Sequence, residues 1–382
     1  MLSLADSPYR SDDDASVIPL LDWLFACAVR ADGSDIHVDA TSEGGLVRVR
    51  IDGVLRFLRS LDEPTYRRII VRMKVLASLD IAERRMPQDG RFSITLDDRS
   101  VEMRIATLPT FFGERVAIRI LDSQRKISDL GALGASPDVV ASVENNVKVG
   151  GGLVVVCGPT GSGKTTTLYR LIAMRDALSE HVCTVEDPVE MVLPHVTQSQ
   201  VASRAGSTFA DIARALLRHD PNVVAIGEMR DAQTAAIAIT AALSGHLVLT
   251  TLHASDAIGA IERLRDFGID QSTLSYVLTC IVSQRLLRKC CSCSLVNEVS
   301  QERCSRCEGR GYLGRTGVFE CIEVDRSVRQ MIFNGASQSQ IRHELELLGW
   351  RSMRMRAEEM LEARAISIQE LLRVFGDITS HG

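Results

Sequence analysis

Residues 47–58, VRVRIDGVLRFL, alternate apolar and basic positions on both sides of Asp52-Gly53. Alternation with period two sends neighbouring side chains to opposite faces of a strand, and Asp-Gly favours the tight turn between two strands, so the segment predicts a hairpin. Ile69, Ile70, Met73, Leu76 and Ala77 then recur at helical spacing, and alternation returns in Arg91–Leu96, Val101–Ala106 and Arg115–Leu121. These patterns predict a small α/β domain whose sheet is wet on one side. Ahead of it, Val17–Val29 is apolar but interrupted by Asp22 and preceded by Asp12, Asp13 and Asp14. It is too short to span a bilayer and has the wrong flank for a signal peptide, which leaves an amphipathic helix.

Beyond residue 150 the period changes. Four continuous apolar runs, LVVVC, HVCTV, NVVAIG and HLVLT, lead respectively into a glycine-rich loop, Glu186-Asp187-Pro188, Glu228, and Thr251-Leu252-His253. Helical stripes separate them: Phe209, Ile212, Ala213, Leu216 and Leu217 share one face, Asp220-Pro221 stops that helix, and Asp231 opens an alanine-rich helix ended by Gly245. Strands alternating with helices predict a mainly parallel sheet, in which all four polar clusters gather at the carboxyl edge. From Val328 onward the pattern is helical, broken at Gly335 and Gly349, and reads as a bundle without chemistry of its own; Met353, Met355 and Met360 read as core filler.

With 382 residues the chain has room for two domains. The expected division is an acidic tail at 1–17, an N-terminal α/β domain at 18–122, a linker at 123–130 and a C-terminal domain at 131–382, which includes a cysteine insert at 288–311 and a helical subdomain at 323–378. Aromatics make up 4% of the residues, and 44 basic against 49 acidic side chains give a net charge of −5. That balance argues against direct nucleic-acid handling.

The most specific chemical signal is GPTGSGKTTT, residues 158–167. It lies between a strand-like run and a helix-forming segment, the context a phosphate-binding loop requires. Gly158, Gly161 and Gly163 let backbone N–H groups approach phosphate oxygens, with Pro159, Thr160, Ser162 and Thr166 completing the cradle; Lys164 reaches the β- and γ-phosphates of ATP and Thr165 ligates Mg²⁺. Glu228 stands where a nucleoside triphosphatase needs an acid, although Gly227 replaces the aspartate usual before it. Glu186, at the next strand end, is the candidate to position or deprotonate the attacking water. His246 and His253 bracket the fourth strand, and His253 could hydrogen-bond the γ-phosphate. Arg104 and Arg119 oppose the apolar positions of their strands, which by pattern alone describes a solvated face; Arg214 lies off its helix's apolar stripe.

Five of the ten cysteines crowd between residues 290 and 307. Cys290-x-x-Cys293 and Cys304-x-x-Cys307 have the spacing of a tetrahedral Zn²⁺ site, with Cys291 left over as a competing ligand. A redox pair is the alternative, but neither motif opens a helix in a thioredoxin-like setting.

Taken in order, SDIHV (34–38), RMPQDGRF (85–92), GPTGSGKTTT, TVEDPVE (184–190), RHDPNVVAIGEMRD (218–231), SGHLVLTTLHASDA (244–257), SQRLLRKC (283–290) and GRTGVFE (314–320) resemble the ATPases of type II secretion and type IV pilus assembly, the GspE/PulE/PilB group. The resemblance spans about Ser34 to Phe375. It implies a RecA-like P-loop NTPase domain, a smaller PAS-like N-terminal α/β domain, a four-cysteine zinc insert and a C-terminal helical bundle. It further implies a catalytic base at Glu186, a Walker B acid at Glu228, a His box of His246 and His253, and arginines Arg104 and Arg119, assisted by Arg214, that approach the γ-phosphate. The family's working form is a cytoplasmic homohexamer at the inner face of the bacterial inner membrane, where it drives a platform protein and binds nucleotide between its two domains. The extra N-terminal domain through which many type II secretion members dock is not seen in this sequence, and the span between the cysteine pairs is short for the family. The cysteine insert favours an assembly or secretion motor over a retraction motor. A DNA-uptake or conjugation motor and a nucleotide-binding scaffold with little hydrolysis are the alternatives; retention of Lys164, Glu186 and Glu228 together speaks against the scaffold.

Overall fold

The computed structural model describes residues 17–121, 128–201, 207–295 and 304–376. The chain divides into two compact units, Met1–Arg125 and Lys126–Gly382. The expected acidic tail, except Val17, and residues 123–127 of the expected linker lie outside the described residues. Among the described residues no helix is long and apolar enough to cross a membrane.

The first unit consists of α1 (Val17–Arg30), β1 (Asp35–Thr41), β2 (Gly44–Ile51), β3 (Val54–Asp62), α2 (Glu63–Leu76), β4 (Gln88–Leu96), β5 (Arg99–Thr110) and β6 (Gly113–Leu121). Its six strands form one antiparallel sheet in the order β3-β2-β1-β6-β5-β4. Asp52 and Gly53, both with positive φ, make the expected β2–β3 turn. Alternation works as the pattern requires: Ile36, Val38, Val47, Val49, Val101, Met103, Ile105, Val116 and Ile118 face inward with α1 and α2, while charged neighbours take the other face. β1 is not evident from the pattern because its alternation, Asp35–Asp39, is only five residues long.

The second unit carries α3 (Pro137–Lys148), β7 (Gly152–Cys157), α4 (Lys164–Ile172), β8 (Val182–Glu186), β9 (Thr197–Gln200), α5 (Phe209–Leu216), β10 (Val223–Ile226), α6 (Ala232–Leu243) and β11 (Leu247–Leu252). It continues with α7 (Ala257–Asp266), α8 (Gln271–Val277), β12 (Leu278–Cys290), β13 (Tyr312–Glu323), α9 (Arg326–Phe333), α10 (Gln338–Leu347), α11 (Met353–Glu362) and α12 (Ile368–Phe375). The sheet order is β13-β12-β7-β11-β10-β8-β9, and all its neighbours are parallel except β12 and β13. Both faces are covered: Leu153, Val155, Val224 and Val248 pack into one cluster, Val154, Val156, Val223 and Leu249 into another. Burial on both sides is why these strands are continuous apolar runs.

The C-terminal helices divide between two cores. Residues of α9 and α10 join the main cluster, whereas Met353, Ala357 and Leu371 pack with Leu287 and Val318. Met355, unlike Met353, is exposed. Two buried glutamates tie these helices to the long strands. Glu320 accepts from the backbone N–H of Ala257 and of Met353, each at 2.7 Å, and so joins the N-termini of α7 and α11. Burial pushes its carboxyl up. Glu370 accepts from the Arg288 amide and guanidinium and from Arg373. Burial alone would raise its carboxyl too, but Arg373 and Arg288 overturn that and hold it at about 2.

Candidate functional site

β7 delivers the chain into the 158–163 loop, where Gly158, Gly161 and Gly163 all have positive φ, at 151°, 77° and 92°. These angles are open to glycine and strained for other residues. α4 begins at Lys164, so its unpaired amides face the loop. Lys164 Nζ donates to the carbonyls of Gly158 (2.8 Å) and Pro159 (3.0 Å) and lies 3.4 Å from His253 Nδ1. Burial pulls its pKa down, opposed by the Glu228 carboxylate. Ser162 Oγ is buried without a partner at the base of the loop. Positive-φ glycines, a lysine folded onto the loop and an orphan hydroxyl fit a polyphosphate, and Thr165, only partly buried beside Lys164, suits Mg²⁺.

Two of the other three expected polar clusters, those of Glu228 and His253, join Lys164 of this loop. His253 follows β11, with Nε2 at 2.7 Å from Glu228 Oε1, and the other Glu228 oxygen accepts from Arg230 Nε at 2.6 Å. Lysine can only donate, so His253 Nδ1 accepts and Nε2 carries the proton given to Glu228. A continuous line Lys164–His253–Glu228–Arg230 results. Arg230 was missed by sequence reasoning, although its place two residues after Glu228 in GEMRD was the available signal.

Glu186, at the end of β8, is 3% exposed. One oxygen accepts from Thr184 Oγ1 (2.5 Å) and Gln198 Nε2 (3.0 Å), and the other accepts from the Tyr169 hydroxyl. A carboxylate offers about four lone-pair positions, so three donors leave one for a water molecule. Burial, followed by the neighbouring Glu186, pushes the Tyr169 phenol well up and keeps it a donor.

The remaining expected residues have other partners. His246 precedes β11 and engages the Ala241 carbonyl at 2.9 Å, at the amino end of the strand whose carboxyl end leads to His253. Six residues of strand separate the two by roughly 20 Å, so His246 is not part of the phosphate-side cluster. Arg214 is exposed on α5 and bonds Asp211 at 3.4 Å. In the first unit Arg104 and Arg119 are direct cross-strand partners, flanked by Arg91 on β4 and Asp35 on β1. Asp35 accepts from Arg119 Nε at 3.3 Å and pairs with Arg50 at 3.6 Å, which gives the aspartate of SDIHV a clear task.

The cysteine site needs one correction. Cys291, Cys293, Cys304 and Cys307 place their sulfurs within 4.8 Å of one another, whereas Cys290 lies outside that group. Cys290 is the last residue of β12, paired with Tyr312 and donating its amide to the Ala365 carbonyl, and the strand ladder holds it there. Cys291 begins the turn that presents Cys293. The sulfur separations of 3.9 Å (Cys291–Cys304) and 3.4 Å (Cys293–Cys307) match the roughly 3.8 Å expected of thiolates around tetrahedral zinc. Backbone N–H groups of Cys307 and Arg306 pull the Cys304 thiol down to about 6, whereas burial and the neighbouring thiols push Cys293 up to about 12.

The model of the family described as "Type II/IV secretion system protein" matches residues 10–373. The chain is 41% identical over 370 residues to the type II secretion system protein HxcR of Pseudomonas aeruginosa, covering 96% of this chain and 79% of that protein. It is 34% identical to the type IV pilus assembly ATPase TfpB of Acinetobacter baylyi, over 98% and 68% of the two chains. Among solved structures it resembles the pilus retraction motor PilT with bound ADP, at TM-score 0.63 and 25% identity over 94% of this chain and 97% of that one. The Legionella pneumophila ATPase DotB aligns at TM-score 0.74 over 97% and 98%; at 21% identity the likeness is one of fold.

Proposed function

The chain belongs to the type II/IV secretion system protein family and is an ATP hydrolase, and from that premise we propose that it is a homohexameric motor for type II secretion or type IV pilus assembly. It acts at the cytoplasmic face of the inner membrane on a platform protein. The observation that carries the reading is the line Lys164–His253–Glu228–Arg230 at the phosphate loop, with Glu186 held beside it.

In the proposed cycle, Lys164 exchanges the Gly158 and Pro159 carbonyls for phosphate oxygens. Thr165 would hold Mg²⁺, which would supply positive charge to the phosphate oxygens. His253, in its Nε2–H form, ties the lysine to Glu228 and so senses loss of the γ-phosphate. Glu186, with its one remaining lone-pair position, takes the proton of the attacking water. Arg104 and Arg119 stabilise the transferring phosphoryl group, and rocking of the two units transmits the work. Cys291, Cys293, Cys304 and Cys307 would hold Zn²⁺, which would tie the turn after β12 to the turn before β13.

Phosphate release from purified Glu228→Gln protein separates this from a scaffold. The motor reading expects ATP affinity within a few-fold of wild type and turnover at least about 100-fold lower. A scaffold would release phosphate equally slowly with either residue.

A further inference from the structure

β12 runs beside β7 only as far as the pair Ser283–Cys157, so the next residue, Gln284, lies alongside the phosphate loop itself. The approach is close. A Cβ on Gly158 would come within 2.5 Å of the Gln284 carbonyl oxygen, and one on Gly163 within 2.8 Å of Gln284 Nε2. The carboxamide is 2% exposed and both its ends are used: Nε2 donates to the Ser162 carbonyl at 2.6 Å, and Oε1 accepts from Thr167 Oγ1 at 2.5 Å.

We infer that Gln284 is a positioning residue for ATP binding, which sets the orientation of the Ser162–Gly163 peptide. In a planar trans peptide the C=O and the following N–H point in opposite directions. Drawing the Ser162 carbonyl toward β12 therefore turns the Gly163 N–H away from β12 and into the loop. The second bond ties the same carboxamide to Thr167, in the first turn of α4, so the loop and the helix that supplies the remaining amides are held as one body. The task needs a donor and an acceptor on one short planar group. Methionine has the reach but neither function, and an ionised glutamate keeps the acceptor while facing the Ser162 carbonyl with negative charge. Because the Gly163 amide meets nucleotide in the ground state and the transition state alike, its loss falls on KM and leaves kcat nearly unchanged.

The test uses the full chain, with KM, kcat, binding of a fluorescent ATP analogue, and thermal unfolding. Gln284→Met is expected to raise KM and the analogue's Kd by about 10- to 100-fold with kcat within about three-fold. Thr167→Val is expected to raise them by a smaller factor, and the double variant to be no worse than Gln284→Met alone, since both remove one connection. Gln284→Glu supplies a signature that a merely structural role would not give: its protonated carboxyl again offers one donor and one acceptor, so its affinity relative to wild type recovers between pH 8 and pH 5.5, while that of Gln284→Met does not. The assignment is overturned if Gln284→Met binds nucleotide like wild type, if the two losses multiply, or if Gln284→Glu shows no such recovery. Should Gln284→Met fail to fold, Thr167→Val and the pH dependence of Gln284→Glu decide, and unchanged KM in the first with no recovery in the second overturns it equally.

Discussion

Gly227 stands where the backbone of β8 comes close enough to crowd any side chain. Its amide donates to the Val185 carbonyl at 2.8 Å, and a Cβ there would stand 3.1 Å from that oxygen and 3.4 Å from Glu186 Cα. The aspartate usual before the Walker B acid would sit tightly against β8, where its neighbours would have to give by a few tenths of an ångström, and in this chain the acid burden falls on Glu228 and Glu186. Lys164, Glu186 and Glu228 were legible in the sequence because each sits in a short polar motif at or after the end of an apolar run: Lys164 in the glycine loop after β7, Glu186 as the last residue of β8, and Glu228 two residues past β10. Tyr169, Gln198 and Gln284 were not, because each meets its partner across 12 to 122 residues of chain and no local pattern encodes such a pairing. Tyr169→Phe removes a donor from the Glu186 carboxylate while keeping the ring in the core. Steady-state kinetics should show kcat down about ten-fold with KM nearly unchanged; equal kcat would mean that Glu186 needs no such restraint.

At the scale of elements, the strands of the parallel core were readable from their apolar runs, whereas β12 and β13 were hidden. β12 mixes Ser283, Gln284, Arg285 and Arg288 with its apolar positions because one stretch packs against the phosphate loop and another against α12. The same strand decides the cysteine ligands, a matter of geometry that C-x-x-C spacing could not resolve. Metal analysis of gently purified protein should find about one Zn²⁺ per chain in wild type and in Cys290→Ser, and far less in Cys291→Ser. The reverse result would return Cys290 to the site. The Arg288–Glu370–Arg373 cluster gives α12 its own pH dependence. Glu370 is lowered from 4.5 to about 2 in the folded state, so its contribution is fully present above about pH 4.5 and is lost as pH falls toward 2. Glu370→Gln should cost about 2–4 kcal/mol in denaturant unfolding at pH 6 and distinctly less at pH 3; a difference that persists unchanged at pH 3 would rule out the ion pairs as its source.

On the scale of the whole molecule, each unit has its own core and its own arginine or phosphate chemistry. The sheet of the first unit carries Arg91, Arg104 and Arg119 in register across β4, β5 and β6. Strand alternation could place Arg104 and Arg119 on one face but could not distinguish a solvated face from a working one, since both expose charge. The working role proposed for Arg104 and Arg119 rests on the motifs of the second unit and on the family to which the chain belongs. If the motor works as a ring, its turnover belongs to the assembly rather than to the single chain. The most direct measurement is ATP turnover per chain against protein concentration, with the mass distribution of the same samples recorded in parallel. Specific activity is expected to rise with the hexamer fraction and to level off when assembly is complete; full activity in samples that contain only monomer would contradict the account.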